Sequence, residues 1–216
     1  MRLVLGRAGL FRPRFLSKIV FMKLNPSNAV KLAWISVALL LATIPSKSDA
    51  MLELNVFYSS ETSSTGSSVS RGRTFLEGAL GFRIDKKGQY LVGWGFASHS
   101  VADSATSSET YSSLQMGPRF LWFMDKDKSW SLGLAYYIVT TGSYSGGGGS
   151  SETWKGTALH ADLGYNLPLD DNLLFSVRYN YSAATYSERL VDSTTYSAVS
   201  YNKTFIYPSL AVLYVF

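Results

Sequence analysis

Between residues 51 and 216 apolar and polar side chains alternate with a period of two, and no segment holds apolar residues at helical spacing. Alternation of this kind marks half-buried strands, because successive side chains of a strand point to opposite faces. It predicts eight strands, near 51–60, 74–84, 89–99, 110–124, 129–141, 153–167, 173–186 and 196–216. The connections alternate too. Asp85-Lys86-Lys87-Gly88, Asp125-Lys126-Asp127-Lys128 and Pro168-Leu169-Asp170-Asp171-Asn172 are short and built of turn-forming residues. The other four are longer and rich in Ser, Thr and Gly. An even number of strands, with short turns at one end and long loops at the other, is the plan of a transmembrane β-barrel. The expected fold is therefore all-β, an eight-stranded antiparallel up-and-down barrel.

The bulky apolar residues share one face of these strands. Leu76, Leu80, Phe82 and Ile84 lie on it in the second strand, and Tyr90, Val92, Trp94 and Phe96 in the third. Trp130, Leu132, Leu134, Tyr136 and Ile138 continue it in the fifth. The opposite face carries Gly93, Gly95, Ala97, Gly117, Gly133, Ala135, Gly164, Ser176 and Asn180. A soluble barrel has its bulky apolar side chains inside. Here they face outward, which predicts hydrocarbon as the outer solvent. Tyr90, Trp122, Trp130 and Tyr165 fall beside the short turns and form an expected aromatic girdle at one membrane interface.

Residues 1–50 are different in kind. A basic segment precedes the apolar run Leu32–Ile44, followed by Pro45 and the small residues Ser48 and Ala50 at positions suited to cleavage. The run is shorter than the ~20 residues a spanning helix needs. This reads as a cleaved signal peptide over 1–50, with Met22 as an alternative start, and a single exported domain over 51–216. The formal net charge of +5 belongs to this leader, which holds eight Lys and Arg and one acid. The remainder has twelve basic and fourteen acidic residues, so no basic surface for nucleic acid is expected. Cysteine is absent, which excludes disulfide frameworks, thiolate metal sites and a Cys nucleophile.

Signal peptide, eight strands and loop asymmetry together give a chain that resembles the small eight-stranded outer-membrane barrels, the OmpA/OmpX-like group, over all of 51–216. The closing segment Leu210–Phe216, with Phe216 last and Tyr214 two before it, looks like the terminal signal read by the outer-membrane assembly machinery. The resemblance implies an outer-membrane location, contact with outer-membrane lipid and passage through that machinery. Pro118 and Pro208 depart from the pattern, since each falls inside a strand and lacks the N–H that a closed ladder uses.

The inward face also carries charge. Counted from the short-turn end, Glu53 and Arg83 each sit two residues in on neighbouring strands, and a pair near the periplasmic mouth is expected. Glu77, Arg119, His160, Asp162 and Arg178 sit higher, with Asp162 and Arg178 at nearly equal height and expected to meet. A buried charge without a partner is strongly unfavourable, so three acids against three arginines imply mutual pairing. An eight-stranded bore is only wide enough for side chains. The expected role is a non-enzymatic envelope barrel, plugged by this network and acting through surface loops toward a ligand that the sequence does not name. A small pore is the alternative, and a lipid-modifying enzyme the third reading. The lipid A deacylases resemble this chain in strand count, but their His-x-Ser pairing reads His160-Ala161-Asp162 here, without the nucleophile. His99 adjoins Ser100, whose side chain takes the opposite face of a strand. Two histidines and scattered acids give no metal site, and Gly146–Gly149 is not followed by the Lys-Ser/Thr of a phosphate cradle, so no cofactor is expected.

Overall fold

Asp85 and Asp125 open two turns of one design. The Asp85 carboxylate accepts the backbone N–H groups of Lys87 (3.1 Å) and Tyr90 (2.8 Å). That of Asp125 accepts those of Ser129 (3.1 Å) and Trp130 (2.9 Å). The fourth residue of each turn is left-handed, Gly88 at φ 66° and Lys128 at φ 56°. Donation by the Trp130 N–H, and then by that of Ser129, holds the Asp125 carboxyl below the usual carboxylate range.

A computed structural model describes residues 49–63, 69–104, 109–146, 151–191 and 195–216. The leader up to residue 48, Met22 included, lies outside them, as do the loop glycines 147–149. The strands are β1 (Ala50–Ser63), β2 (Val69–Arg83), β3 (Tyr90–Asp103), β4 (Glu109–Phe123), β5 (Trp130–Ser145), β6 (Ser151–Pro168), β7 (Leu173–Val191) and β8 (Thr195–Val215). Each is antiparallel to its chain neighbours, and β8 returns to β1 to close the barrel. Most strands run several residues further from the short turns than the alternation predicts. Above the apolar belt both faces turn polar, so the period fades while pairing continues. The Arg71–Asp103 ion pair (2.6 Å) joins β2 to β3 in that region.

Side-chain polarity is inverted relative to a soluble barrel. Arg178 is 1% exposed while its chain neighbour Tyr179 is 62% exposed. The same holds around the wall, where Leu80, Phe82, Trp94, Leu134, Leu163, Val177 and Leu210 point outward and are exposed. Aqueous solvent would leave this apolar belt unsatisfied, whereas hydrocarbon covers it. The fold is an eight-stranded transmembrane barrel.

The two prolines sit where the ladders are interrupted. The β4–β5 register steps between Met116↔Val139 and Arg119↔Ala135, so Pro118 falls within a bulge. The β1–β8 ladder runs only from Met51↔Val215 to Val56↔Leu210, six pairs, and Pro208 stands just beyond its last pair. Gly81 and Gly93 face each other across β2 and β3 so closely that a Cβ on Gly81 would lie 2.9 Å from the Gly93 Cα.

Candidate functional site

The bore is filled by three layers. Nearest the short turns, Met51, Leu91, Leu121, Phe123, Leu174, Leu213 and Val215 pack with Ala79 into an apolar floor. Farthest from them, Tyr111, Tyr137, Trp154 and Tyr186 form an aromatic layer in which the Tyr111 and Tyr186 hydroxyls meet at 2.6 Å. Between the two lies the charge.

Its centre is a ring of four side chains from four strands. The Glu53 carboxylate on β1 accepts the Arg119 Nη2–H (2.7 Å) and Nε–H (3.1 Å) from β4, and the Arg178 Nη1–H (2.6 Å) from β7. Asp162 on β6 accepts from the same two guanidinium groups, at 2.8 Å from Arg119 and 3.1 Å from Arg178. All four residues are at most 5% exposed. Small residues make the room. A Cβ on Gly95 would come within 3.3 Å of the Arg119 side chain, and one on Gly164 within 3.2 Å of that of Arg178.

Glu77 holds a second cluster beside the ring. Its carboxylate accepts from Asn55 Nδ2 (2.9 Å), from His99 Nε2 (3.1 Å) and from the Tyr207 hydroxyl. His160 stands between cluster and ring, 3.5 Å from Glu77 on one side and 3.5 Å from Asp162 on the other. Gln115 supports His99 from β4, and Asn180 links Asn55 to Ser209 and to the Tyr207 carbonyl.

The structure brings together Glu53, Arg119, Asp162 and Arg178, with Glu77 and His160 adjoining. It does not bring Glu53 to Arg83, and that expected pair is corrected. Arg83 instead bonds Asp49 (2.9 Å) and the Phe216 carbonyl (3.3 Å) at the mouth. The reason is the stagger of β1. Its Ala50 pairs with Phe82, which sets Glu53 opposite Ala79, four residues along β2 from Arg83 and level with the ring. The three acids therefore face two arginines in the bore.

Asn55, His99, Gln115 and Tyr207 escaped the sequence reading of the network. Parity was the available signal, since His99 shares a face with Gly95 and Ala97, and Tyr207 with Ala211. His99 is fully buried and Ser100 exposed, so they take opposite faces. Ser182 lies directly across from His160 on β7, but its buried hydroxyl makes no hydrogen bond to the imidazole among the described residues. Also among the described residues, no group of three His, Asp or Glu is placed to hold a metal ion.

Outside, the aromatic residues beside the short turns pair across strands. Tyr90 stacks on Trp122 with centroids 6.4 Å apart, and Trp130 meets Tyr165 edge-on at 5.2 Å. At the end of β8 the rings of Tyr214 and Phe216 pack at 4.4 Å, and the Phe216 N–H donates to the Ala50 carbonyl at 2.9 Å.

No protein-family model and no curated protein matches this chain. Among solved structures it is similar to Neisserial surface protein A (NspA), at TM-score 0.47 and 15% identity, covering 78% of this chain and 98% of that one. It is also similar to the translocator domain of the autotransporter NalP from Neisseria meningitidis, at TM-score 0.39 and 13% identity, over 87% and 70%. A third likeness is to OmpT, an outer membrane protein of Vibrio cholerae, at TM-score 0.30 and 10% identity, over 79% and 53%. None of these is close enough to transfer a role.

Proposed function

We propose that this chain is an integral outer-membrane barrel with a closed bore, serving envelope structure or surface contact through its long loops and catalysing no reaction. The observation that carries the reading is the ring of Glu53, Arg119, Asp162 and Arg178, which crosses the lumen between an apolar floor and an aromatic layer. Each guanidinium is gripped by two carboxylates, so moving any one side chain out of an ion's way leaves buried charge unpaired. The outward belt and the Tyr90–Trp122 and Trp130–Tyr165 pairs suit a lipid boundary. The basic leader with its short apolar run supports export, and Tyr214 with Phe216 supports recognition by the assembly machinery.

Planar-bilayer recording of the refolded barrel tests the closed bore. Steady current at the level of the bare membrane is expected. Ohmic channels from the wild-type chain would replace this reading with that of a small pore. A lipid A mass spectrum from expressing cells is expected to match that of cells without the protein, and a new lipid A species would establish catalysis.

A further inference from the structure

The buried charges of the bore do not balance as carboxylates and guanidinium groups alone. Glu53, Glu77 and Asp162 are buried acids, and Arg119 and Arg178 are the buried arginines, since Arg83 lies at the mouth beside Asp49. One negative charge remains, and it belongs to Glu77, which has no arginine among its partners. An uncompensated charge in a site without solvent is strongly disfavoured.

The two histidines differ in what their ring nitrogens face. The Nε2 of His99 donates to Glu77, while its Nδ1 faces the Gln115 amide Nε2 at 3.5 Å. One nitrogen meets an acceptor and the other a donor, which a neutral imidazole satisfies. His160 has no such asymmetry. Its Nδ1 lies 3.5 Å from Glu77 Oε1 and its Nε2 3.5 Å from Asp162 Oδ2, both within ion-pair distance, and neither nitrogen makes a hydrogen bond among the described residues. A neutral ring there would turn a lone pair toward a carboxylate oxygen, whichever tautomer it took.

We propose that the site between Glu77 and Asp162 binds a proton, held on His160 as an imidazolium at neutral pH, and that this proton is the third buried cation of the middle layer, beside Arg119 and Arg178. The other charged and titratable groups facing the site are accounted for. Arg119 from β4 and Arg178 from β7 repel the imidazolium but are both engaged by Glu53 and Asp162. His99 from β3 and the Tyr207 hydroxyl from β8 donate to Glu77, and Tyr137 from β5 packs against the His160 ring at 6.3 Å between centroids. With the proton in place, three acids meet three cations, and the Glu77 cluster is tied to the ring by charge. The inference rests on a water-poor bore, and the experiment reads the imidazole itself, so it stands or falls apart from conductance.

The test is nitrogen-15 NMR of the histidine side chains in the full barrel refolded in detergent, at about pH 7.5, above the range where a free imidazole is charged. His160 is expected to show two protonated ring nitrogens and His99 one protonated and one bare, with His99→Gln assigning the signals. In Glu77→Gln the bore holds two acids and two arginines, so His160 is expected to become neutral while gel migration of the unheated protein reports an intact barrel. A bare ring nitrogen on His160 in the wild type overturns the proposal, whatever the variant does. So does an imidazolium that persists unchanged in folded Glu77→Gln.

Discussion

Glu53 and Arg178 meet at 2.6 Å inside the barrel although 125 positions separate them in the chain. Glu53 is anchored by the first strand and Arg178 by the seventh, and β8 lies between them in the wall. Their contact therefore passes through the lumen and not along the sheet. Removing the arginine leaves Glu53 and Asp162 to share Arg119 alone.

Arg178→Ala is expected to destabilise the barrel by about 3–5 kcal/mol, the loss that follows when one partner of a buried ion pair is removed. Arg83→Ala is the contrast. Its partner Asp49 is 77% exposed, and a loss below about 1 kcal/mol is expected. Urea unfolding in lipid vesicles measures both, and equal losses would remove the distinction between ring and mouth.

The room for Asp162 is made by a glycine. A Cβ at Gly133 would lie 2.6 Å from the Asp162 Cγ, so Gly133→Ala must displace the carboxylate and with it both guanidinium groups. Overpacking of this kind costs about 1–3 kcal/mol. Gly72→Ala meets nothing within 4 Å and serves as the control. Comparable unfolding midpoints for the two variants would mean the site yields freely.

The matched turns make opposite predictions. Lys128 holds a left-handed conformation that favours glycine, so Lys128→Gly is expected to stabilise by up to about 1 kcal/mol. Gly88→Ala is expected to lose about as much at the equivalent position. Paired denaturation curves decide it; a destabilised Lys128→Gly would show that the lysine side chain contributes more than its backbone costs.

The Asp125 carboxyl sets a pH dependence. Its folded value lies below the ordinary 3.8, because Trp130 and Ser129 donate to the ionised form. The stability it contributes is complete above the unfolded value and is lost as pH falls through the folded one. The difference in stability between wild type and Asp125→Ala should therefore be flat from neutral pH down to about 4 and shrink below it. A difference that grows on acidification would reverse the sign.

Orientation is tested with tags. In an even-stranded barrel both termini lie on the short-turn side, facing the periplasm. An epitope at Lys87 is expected to be hidden from antibody on intact cells, and one at residue 147, in the β5–β6 connection, to be reached. The reverse labelling would invert the topology.

The existence of the strands, and the face taken by side chains where apolar and polar residues alternate, were legible because a period of two survives any error in strand ends. Arg178 and Tyr179 differ in solvent by parity alone. Height was legible where a short turn joins two strands, as for Asp162 and Arg178, which meet at 3.1 Å, but not for β1, which no turn precedes. Counting residues from the turns set Glu53 level with Arg83, and it failed because closing a barrel staggers its first and last strands. The apolar floor was hidden for another reason. At Leu91-Val92 and at Leu121-Trp122-Phe123 both faces are apolar, one toward lipid and one toward the bore, so alternation carries no mark of which residues lie inside. His99 was seen as a residue but not as a partner of Glu77, because cross-strand register is needed to pair them.

The six-pair ladder between β1 and β8 has a consequence for the order of assembly. Contacts between chain ends are expected to form last, since bringing them together carries the largest loop-closure entropy. Before that event β4, β6 and β7 can present Arg119, Asp162 and Arg178 to a trough still wetted by water, with one carboxylate missing. Docking of β1 is then expected to deliver Glu53 and complete the ring in a single act, since Glu53 alone joins Arg119 and Arg178 from that strand. A seam with few backbone bonds is thus latched from within, and closing the wall and filling the lumen become the same step of folding.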